Sequence, residues 1–164
     1  MRRLLVAFAA VALLVPALVL PAAAATKTIA PTAFKPWVDY PPESITIATT
    51  PLGMVVVGAT NPTATAIFSA EVKLPVGARI TRVNYWYMDT AALGTNLTLK
   101  SGRWGSSTSY IKAEIETSAA AIELTKVSTS DVTNPKVTAG EILFLVLVLP
   151  VGGGCGGVKI DYTP

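Results

Sequence analysis

Histidine is missing from all 164 residues, and cysteine occurs once, at Cys155. Without imidazole there is no Ser-His-Asp or Cys-His nucleophile pair, no His-ligated zinc or copper, and no histidine pH switch. A single cysteine excludes an intrachain disulfide, so stability must come from packing. Charged residues make up only 14% of the chain and aromatics 7%. The carboxylates Asp39, Glu43, Asp89, Asp131 and Asp161 are widely spaced, with no Asp-rich calcium loop. No segment carries a nucleotide motif, and no amphipathic helix of useful length occurs. No cofactor and no metal are expected, and the chain reads as a non-enzyme.

The long apolar run that does occur sits at the N-terminus. Arg2 and Arg3 precede Leu4 to Leu20, then Pro21 and four alanines, the layout of a secretory signal with small residues at its cleavage site. Cleavage after Ala24 or Ala25 leaves about 139 residues, one ordinary domain. Pro16 and Pro21 interrupt the run where a spanning helix needs about 20 continuous apolar residues, so no stable membrane span is expected after cleavage. The expected division is a signal peptide over 1–25, a proline-rich extended arm over 26–44 and a domain over 45–164, secreted or at the cell surface. The 13 Lys and Arg residues fall to 11 without Arg2 and Arg3, against 10 Asp and Glu. That balance points to no polyanion partner, and the basic residues left, scattered from Lys27 to Lys159, form no stripe for nucleic acid.

From Ile45 onward, runs rich in Val, Ile, Thr and aromatics are separated by Pro, Gly, Asn and Ser. The pattern predicts strands at Ile45–Thr49, Leu52–Ala59, Thr65–Leu74, Arg79–Asp89, Thr95–Lys100, Ser109–Thr117, Ala121–Ser128, Glu141–Leu149 and Gly157–Tyr162. Eight or nine strands at this spacing give an all-β fold, a single antiparallel β-sandwich of Greek-key or jelly-roll type. Ala66, Phe68, Ala70, Val72 and Leu74 share one face; Ile111, Ala113 and Ile115 alternate with Lys112, Glu114 and Glu116. Ile142–Leu149 is apolar on both faces. It is either a central strand covered by a loop or the N-terminal arm, or a homo-oligomer interface. The arm holds Pro31, Pro36, Pro41 and Pro42 and cannot be a central strand, because proline lacks a ladder donor. Trp37 and Tyr40 are placed to pin it to the domain, or it reaches a neighbouring subunit.

Two stretches 75 positions apart align without gaps, LPVGARITRVNYWY at Leu74–Tyr87 and LPVGGGCGGVKIDY at Leu149–Tyr162, with six of fourteen positions identical. Each turns through Pro-Val-Gly and resumes on alternating apolar residues, which reads as one hairpin design used twice. The alignment sets Cys155 opposite Ile80, as a small buried residue; the alternative is a thiol that links two chains. The segments Leu74–Asp89 and Leu149–Tyr162 resemble small secreted β-sandwich domains of bacterial proteins. That resemblance implies fold and compartment, and it carries over no activity and no site residues.

Candidate contact residues fall in two places. Arg82, Asn84 and Trp86 alternate with Val83, Tyr85 and Tyr87, so they line the outer face of one strand, either as a ligand platform or as an ordinary sheet surface. Trp104 sits beside Arg103 among glycines and serines, either as a contact residue in a surface loop or as a plug over the sandwich end. An aromatic beside an amide and a guanidinium is equipped to stack on a sugar ring and bond its hydroxyls. The expected function is therefore a secreted, non-catalytic binding module for a glycan or cell-surface polymer, using Trp104, Trp86, Arg82, Asn84 and Arg103. A self-assembling surface protein, joined through Ile142–Leu149 or the arm, is the alternative, and a carboxylate-dependent hydrolase ranks third.

Overall fold

The computed structural model describes residues 23–37, 46–49, 53, 55–58, 65–90, 94–118 and 121–164. The expected signal peptide lies outside the described residues except for Ala23, Ala24 and Ala25, as do residues 38–44 of the expected arm. The described residues form eleven strands: β1 (Ala25–Ile29), β2 (Lys35–Pro36), β3 (Thr46–Thr49), β4 (Val55–Gly58), β5 (Thr65–Val72), β6 (Arg79–Asp89), β7 (Asn96–Arg103), β8 (Ser109–Glu116), β9 (Ala121–Thr129), β10 (Glu141–Pro150) and β11 (Gly153–Thr163). A single 3-10 turn, Pro31–Ala33, accompanies them.

The strands make two antiparallel sheets. One runs β3-β4-β11-β6-β9, with β1 also on β11; the other runs β2-β5-β10-β7-β8. Most consecutive strands after β4 change sheet, the β7–β8 pair excepted, so the chain winds around a sandwich as a jelly roll does. The segment expected as an arm supplies strands at positions that suit its prolines. β2, with Pro36, lies at the edge of its sheet, where a missing N–H costs no ladder bond.

Inward rows meet between the sheets as the alternation predicts. Ala66, Phe68, Ala70 and Val72 of β5, Leu143, Leu145, Leu147 and Leu149 of β10, Val83, Tyr85 and Tyr87 of β6, and Val158 and Ile160 of β11 are all buried. β10 is the central strand of its sheet, with β5 and β7 on its two edges. Its second apolar row, Ile142, Phe144, Val146 and Val148, faces outward. Trp37 packs against Phe144 there, ring centroids 6.4 Å apart.

The repeated Pro-Val-Gly segments are corners between sheets rather than hairpins within one. β5 passes to β6, and β10 to β11, from the five-stranded sheet to the other. Both turns need a left-handed residue, at Gly77 (φ 93°) and Gly152 (φ 83°), which occupy the same position of the repeat. The two copies also pair with each other. Asn84 stands opposite Lys159 and Ala70 opposite Leu145, and each pair is 75 positions apart, so one local two-fold axis relates the copies. In this frame Cys155 is buried, as Ile80 is.

Burial pushes the Cys155 thiol up to about 12, despite a hydrogen bond from the Gly157 backbone that acts the other way. Native protein is therefore expected to resist a thiol reagent at pH 8 and to react stoichiometrically once unfolded in guanidinium; fast modification of the folded chain would contradict its buried place. Leu147 touches no solvent. Its replacement by alanine should lower the unfolding free energy by about 2–5 kcal/mol in denaturant titrations, and an unchanged midpoint would place it outside the core.

Candidate functional site

The alternation in β8 breaks at one residue. Leu99 pairs with Ala113 but Lys100 with Ile111, leaving Lys112 as the extra residue of a bulge. The expected order is thereby reversed: Lys112 is 4% exposed and Ile111 50% exposed. The turned-in ammonium is fully occupied. It pairs with Glu141 Oε1 at 2.8 Å and donates to the carbonyls of Asn134 at 2.6 Å and Lys136 at 3.3 Å. Glu141 also accepts from the Thr138 backbone N–H at 2.8 Å. These bonds fasten the segment between β9 and β10 to the end of the five-stranded sheet. Asn134 takes the left-handed conformation there, with φ 47°.

A cleft of about 620 Å³ opens beside this ion pair, walled by Arg103 and Tyr110 on one side and Asn134 and Lys136 on the other. Burial alone would raise the Glu141 carboxyl, but the hydrogen bonds and charge of Lys112, with those of Thr138 and Ser101, outweigh it and hold the pKa below the usual range.

A second hollow, about 480 Å³, lies on the outer face of the same sheet. Its floor is Ile142 and Phe144, from the outward row of β10, and its walls are Trp37 and Trp104. Trp37 is set by backbone bonds. Lys35 and Pro36 pair with β5, and the Trp37 N–H donates to the Ile67 carbonyl at 2.8 Å. Trp104 opens the turn after β7, which the Ser106 N–H closes onto the Arg103 carbonyl at 3.1 Å. Both rings remain open to solvent, 53% exposed for Trp37 and 89% for Trp104. Trp104 is therefore no plug. Ser69 and Glu71 supply a hydroxyl and a carboxylate at the rim, with Lys73 3.5 Å from Glu71.

The five residues singled out from the sequence do not form one site. Trp104 and Arg103 lie at the end of β7, whereas Arg82, Asn84 and Trp86 lie on β6 in the other sheet. Asn84 faces outward yet is 2% exposed, because its amide is spent on the Lys159 carbonyl at 3.2 Å and Asp161 Oδ2 at 3.0 Å. Trp86 is half-buried, with the Lys126 ammonium 5.5 Å from its ring centre. Phe144 and Glu71 were not singled out at all, and Trp37 only as a pin; the apolar outer row of Ile142–Leu149 was the available signal for the first. Among the described residues there is no group of three or more metal-ligating side chains, and no helix is long and apolar enough to cross a membrane.

Replacing Glu141 by Gln leaves the buried Lys112 charge without its partner, which should cost about 3 kcal/mol at pH 7. The wild-type carboxylate, its pKa lowered on folding, contributes above the unfolded value and loses that contribution as pH falls through the folded one. The stability gap between wild type and E141Q, measured by denaturation, should therefore narrow below about pH 4; a gap independent of pH would exclude the ionised pair as its source.

Compared by sequence, the chain matches no protein-family model and no curated protein. Solved structures share its fold. The C-terminal CBM6 module of LamC, a marine laminarinase from Zobellia galactanivorans, superposes with a TM-score of 0.51 at 15% identity, over 85% of this chain and 100% of that one. A CBM6 module of Cellvibrio mixtus lichenase 5A, solved with cellotriose, gives 0.50 at 17% identity, over 84% of this chain and 98% of that one. The xylan-binding module CBM15 gives 0.50 at 10% identity, over 85% and 97%. At such identities the likeness is one of fold: an antiparallel β-sandwich of the kind found in carbohydrate-binding modules.

Proposed function

We propose that the chain is an exported, non-catalytic binding module whose ligand is a saccharide, and that the trough between Trp37 and Trp104 takes it. The observation that carries this reading is the pair of solvent-open indoles flanking an apolar floor with a hydroxyl and a carboxylate at the rim. Sugars present an apolar C–H face and a polar edge, and this arrangement offers both complements. Similar sandwiches bind cellotriose and xylan, as their names state, which supports the same ligand class here.

Self-assembly through Ile142–Leu149 is the weaker reading. Both ladder edges of β10 are taken, its leucines are in the core, and Ile142 and Phe144 of its outer row are the floor of the trough. Arg82, Asn84 and Trp86 have no part in the proposed site. Hydrolysis is not favoured either, since the trough's one carboxylate, Glu71, lies beside Lys73 and lacks a second acid across the hollow.

Covering about 80 Å² of indole surface is worth about 2 kcal/mol at about 25 cal/mol per Å². Isothermal titration against a panel of laminarin, cello-oligosaccharides, xylan and acidic polysaccharides should find at least one ligand. Trp104→Ala and Trp37→Ala should each weaken that ligand about 10- to 50-fold with little change in melting temperature. A panel without a single binder, or full affinity in both variants, would exclude the trough as a saccharide site.

A further inference from the structure

The end cleft beside the Lys112–Glu141 pair has a charge balance unlike that of the chain as a whole. Lys112 and Glu141 cancel each other on its floor. Arg103 and Lys136 remain, both exposed, and among the described residues neither side chain makes an ion pair or hydrogen bond. The lining contains no other acid, and its other polar groups include the hydroxyls of Ser106, Thr108 and Tyr110. An excess of two unpaired cations beside hydroxyls is equipped for an anionic group of modest size.

The cleft also adjoins the tryptophan trough. Gly102, Arg103 and Trp104 are consecutive: Gly102 and Arg103 line the cleft and Trp104 lines the trough. A Cβ placed on Gly102 would stand 3.9 Å from Phe144 Cε1 on the trough floor and 3.6 Å from the Thr108 carbonyl. Gly102 thus puts no side chain between the cleft that it lines and Phe144 on the trough floor. Lys100, directly opposite Phe144 in the ladder, adds a third positive group on the outer face of the sheet.

We propose that the saccharide is an acidic one: its sugar ring stacks in the trough while a carboxylate or sulfate ester on the same or the next residue enters the end cleft between Arg103 and Lys136. This inference rests on the saccharide reading of the trough and names the ligand's class. Arg103 and Lys136 lie 33 positions apart and are brought to one cleft by the bulge at Lys112 and the bonds it makes to the β9–β10 segment. The sequence expectation of no polyanion partner followed from the near-even balance of 11 basic against 10 acidic residues, a total blind to where two cations meet in the fold. Two or three cations make a subsite for one anionic group, not the stripe that tracks a nucleic acid backbone.

The test uses matched pairs: polygalacturonate against its methyl ester, and a sulfated galactan against its desulfated form, each titrated into the full chain. At least one acidic form is expected to bind about 10-fold tighter than its neutral counterpart, and the pair that shows the preference tells carboxylate from sulfate. Most of that preference should vanish between about 50 and 500 mM NaCl. Arg103→Ala/Lys136→Ala should lower the acidic form to the affinity of its neutral partner without shifting the melting temperature, because both side chains are exposed. Equal binding of acidic and neutral forms in both pairs overturns the inference and leaves the saccharide reading standing; binding of neither form in either pair overturns the inference as well, and the saccharide reading then stands or falls on laminarin, cello-oligosaccharides and xylan. A preference that survives the double variant, or that a single-stranded oligonucleotide reproduces, also overturns it.

Discussion

Gly77 and Gly152 turn the chain from one sheet into the other in a conformation that a side chain at either position would strain, and the rest of the molecule is arranged around those two corners. Because each corner carries a strand across the sandwich, β5 and β10 become neighbours in one sheet while β6 and β11 become neighbours in the other. The inward rows of all four strands then converge on one core, in which Phe68, Tyr85, Leu145, Leu147 and Ile160 are sealed from solvent. The local two-fold axis through the Asn84–Lys159 and Ala70–Leu145 pairs makes this economical, since one pattern of leucine, Pro-Val-Gly and alternating apolar residues serves both halves. Lacking disulfides, the sandwich depends on that buried contact.

The central position of β10 has a second consequence. A strand flanked on both edges and apolar on both faces must leave one apolar row outside the core, and an exposed apolar row invites association. Here the N-terminal segment meets part of that demand: Phe34 enters the core, β2 caps the edge of β5, and Trp37 arrives over Phe144. The cover is incomplete, and what it leaves open is the trough. The same sheet carries the bulge at Lys112, whose buried charge is tolerable only because Glu141 and two carbonyls meet it. A constraint of folding thus shapes each hollow, one from surplus apolar surface and one from a charge that had to be paired.

The strands were legible because a sheet with one wet face writes a period of two into the chain; β6 runs over Arg79–Asp89 as the alternation predicts. Trp104 was legible for a related reason, as an aromatic stranded among turn formers. The failures lie where tertiary pairing overrides local pattern. The run Ile111–Glu116 alternates as if Lys112 faced water, and a bulge has no signature in those residues. A corner and a hairpin share the residues Pro-Val-Gly, and only the sheet that receives the next strand tells them apart. Asn84 occupies an outward position of its strand, yet Asp161 and Lys159 close over its amide. Trp37 does pin the N-terminal segment, through its N–H on the Ile67 carbonyl and its ring on Phe144, but its place beside the hollow follows from the pairing of Lys35 and Pro36 with β5, a contact between distant segments that no local pattern announces.

The same periodicity explains how carbohydrate-binding modules at 10–17% identity can share this fold without settling its ligand. Inward positions must be apolar and of suitable volume, a requirement that many sequences meet. Outward positions alternate with them and are free of that requirement, so they can change while the sandwich persists. Ligand chemistry therefore has to be read from the outward and end positions of this chain itself: Phe144 and Lys100 side by side on the sheet, Trp37 and Trp104 above them, Arg103 and Lys136 at the end. A neutral glycan would use the first four and leave the last two cations without a counter-charge, whereas an acidic glycan would engage the whole surface, and that difference in complementarity is the ground on which the acidic ligand is proposed.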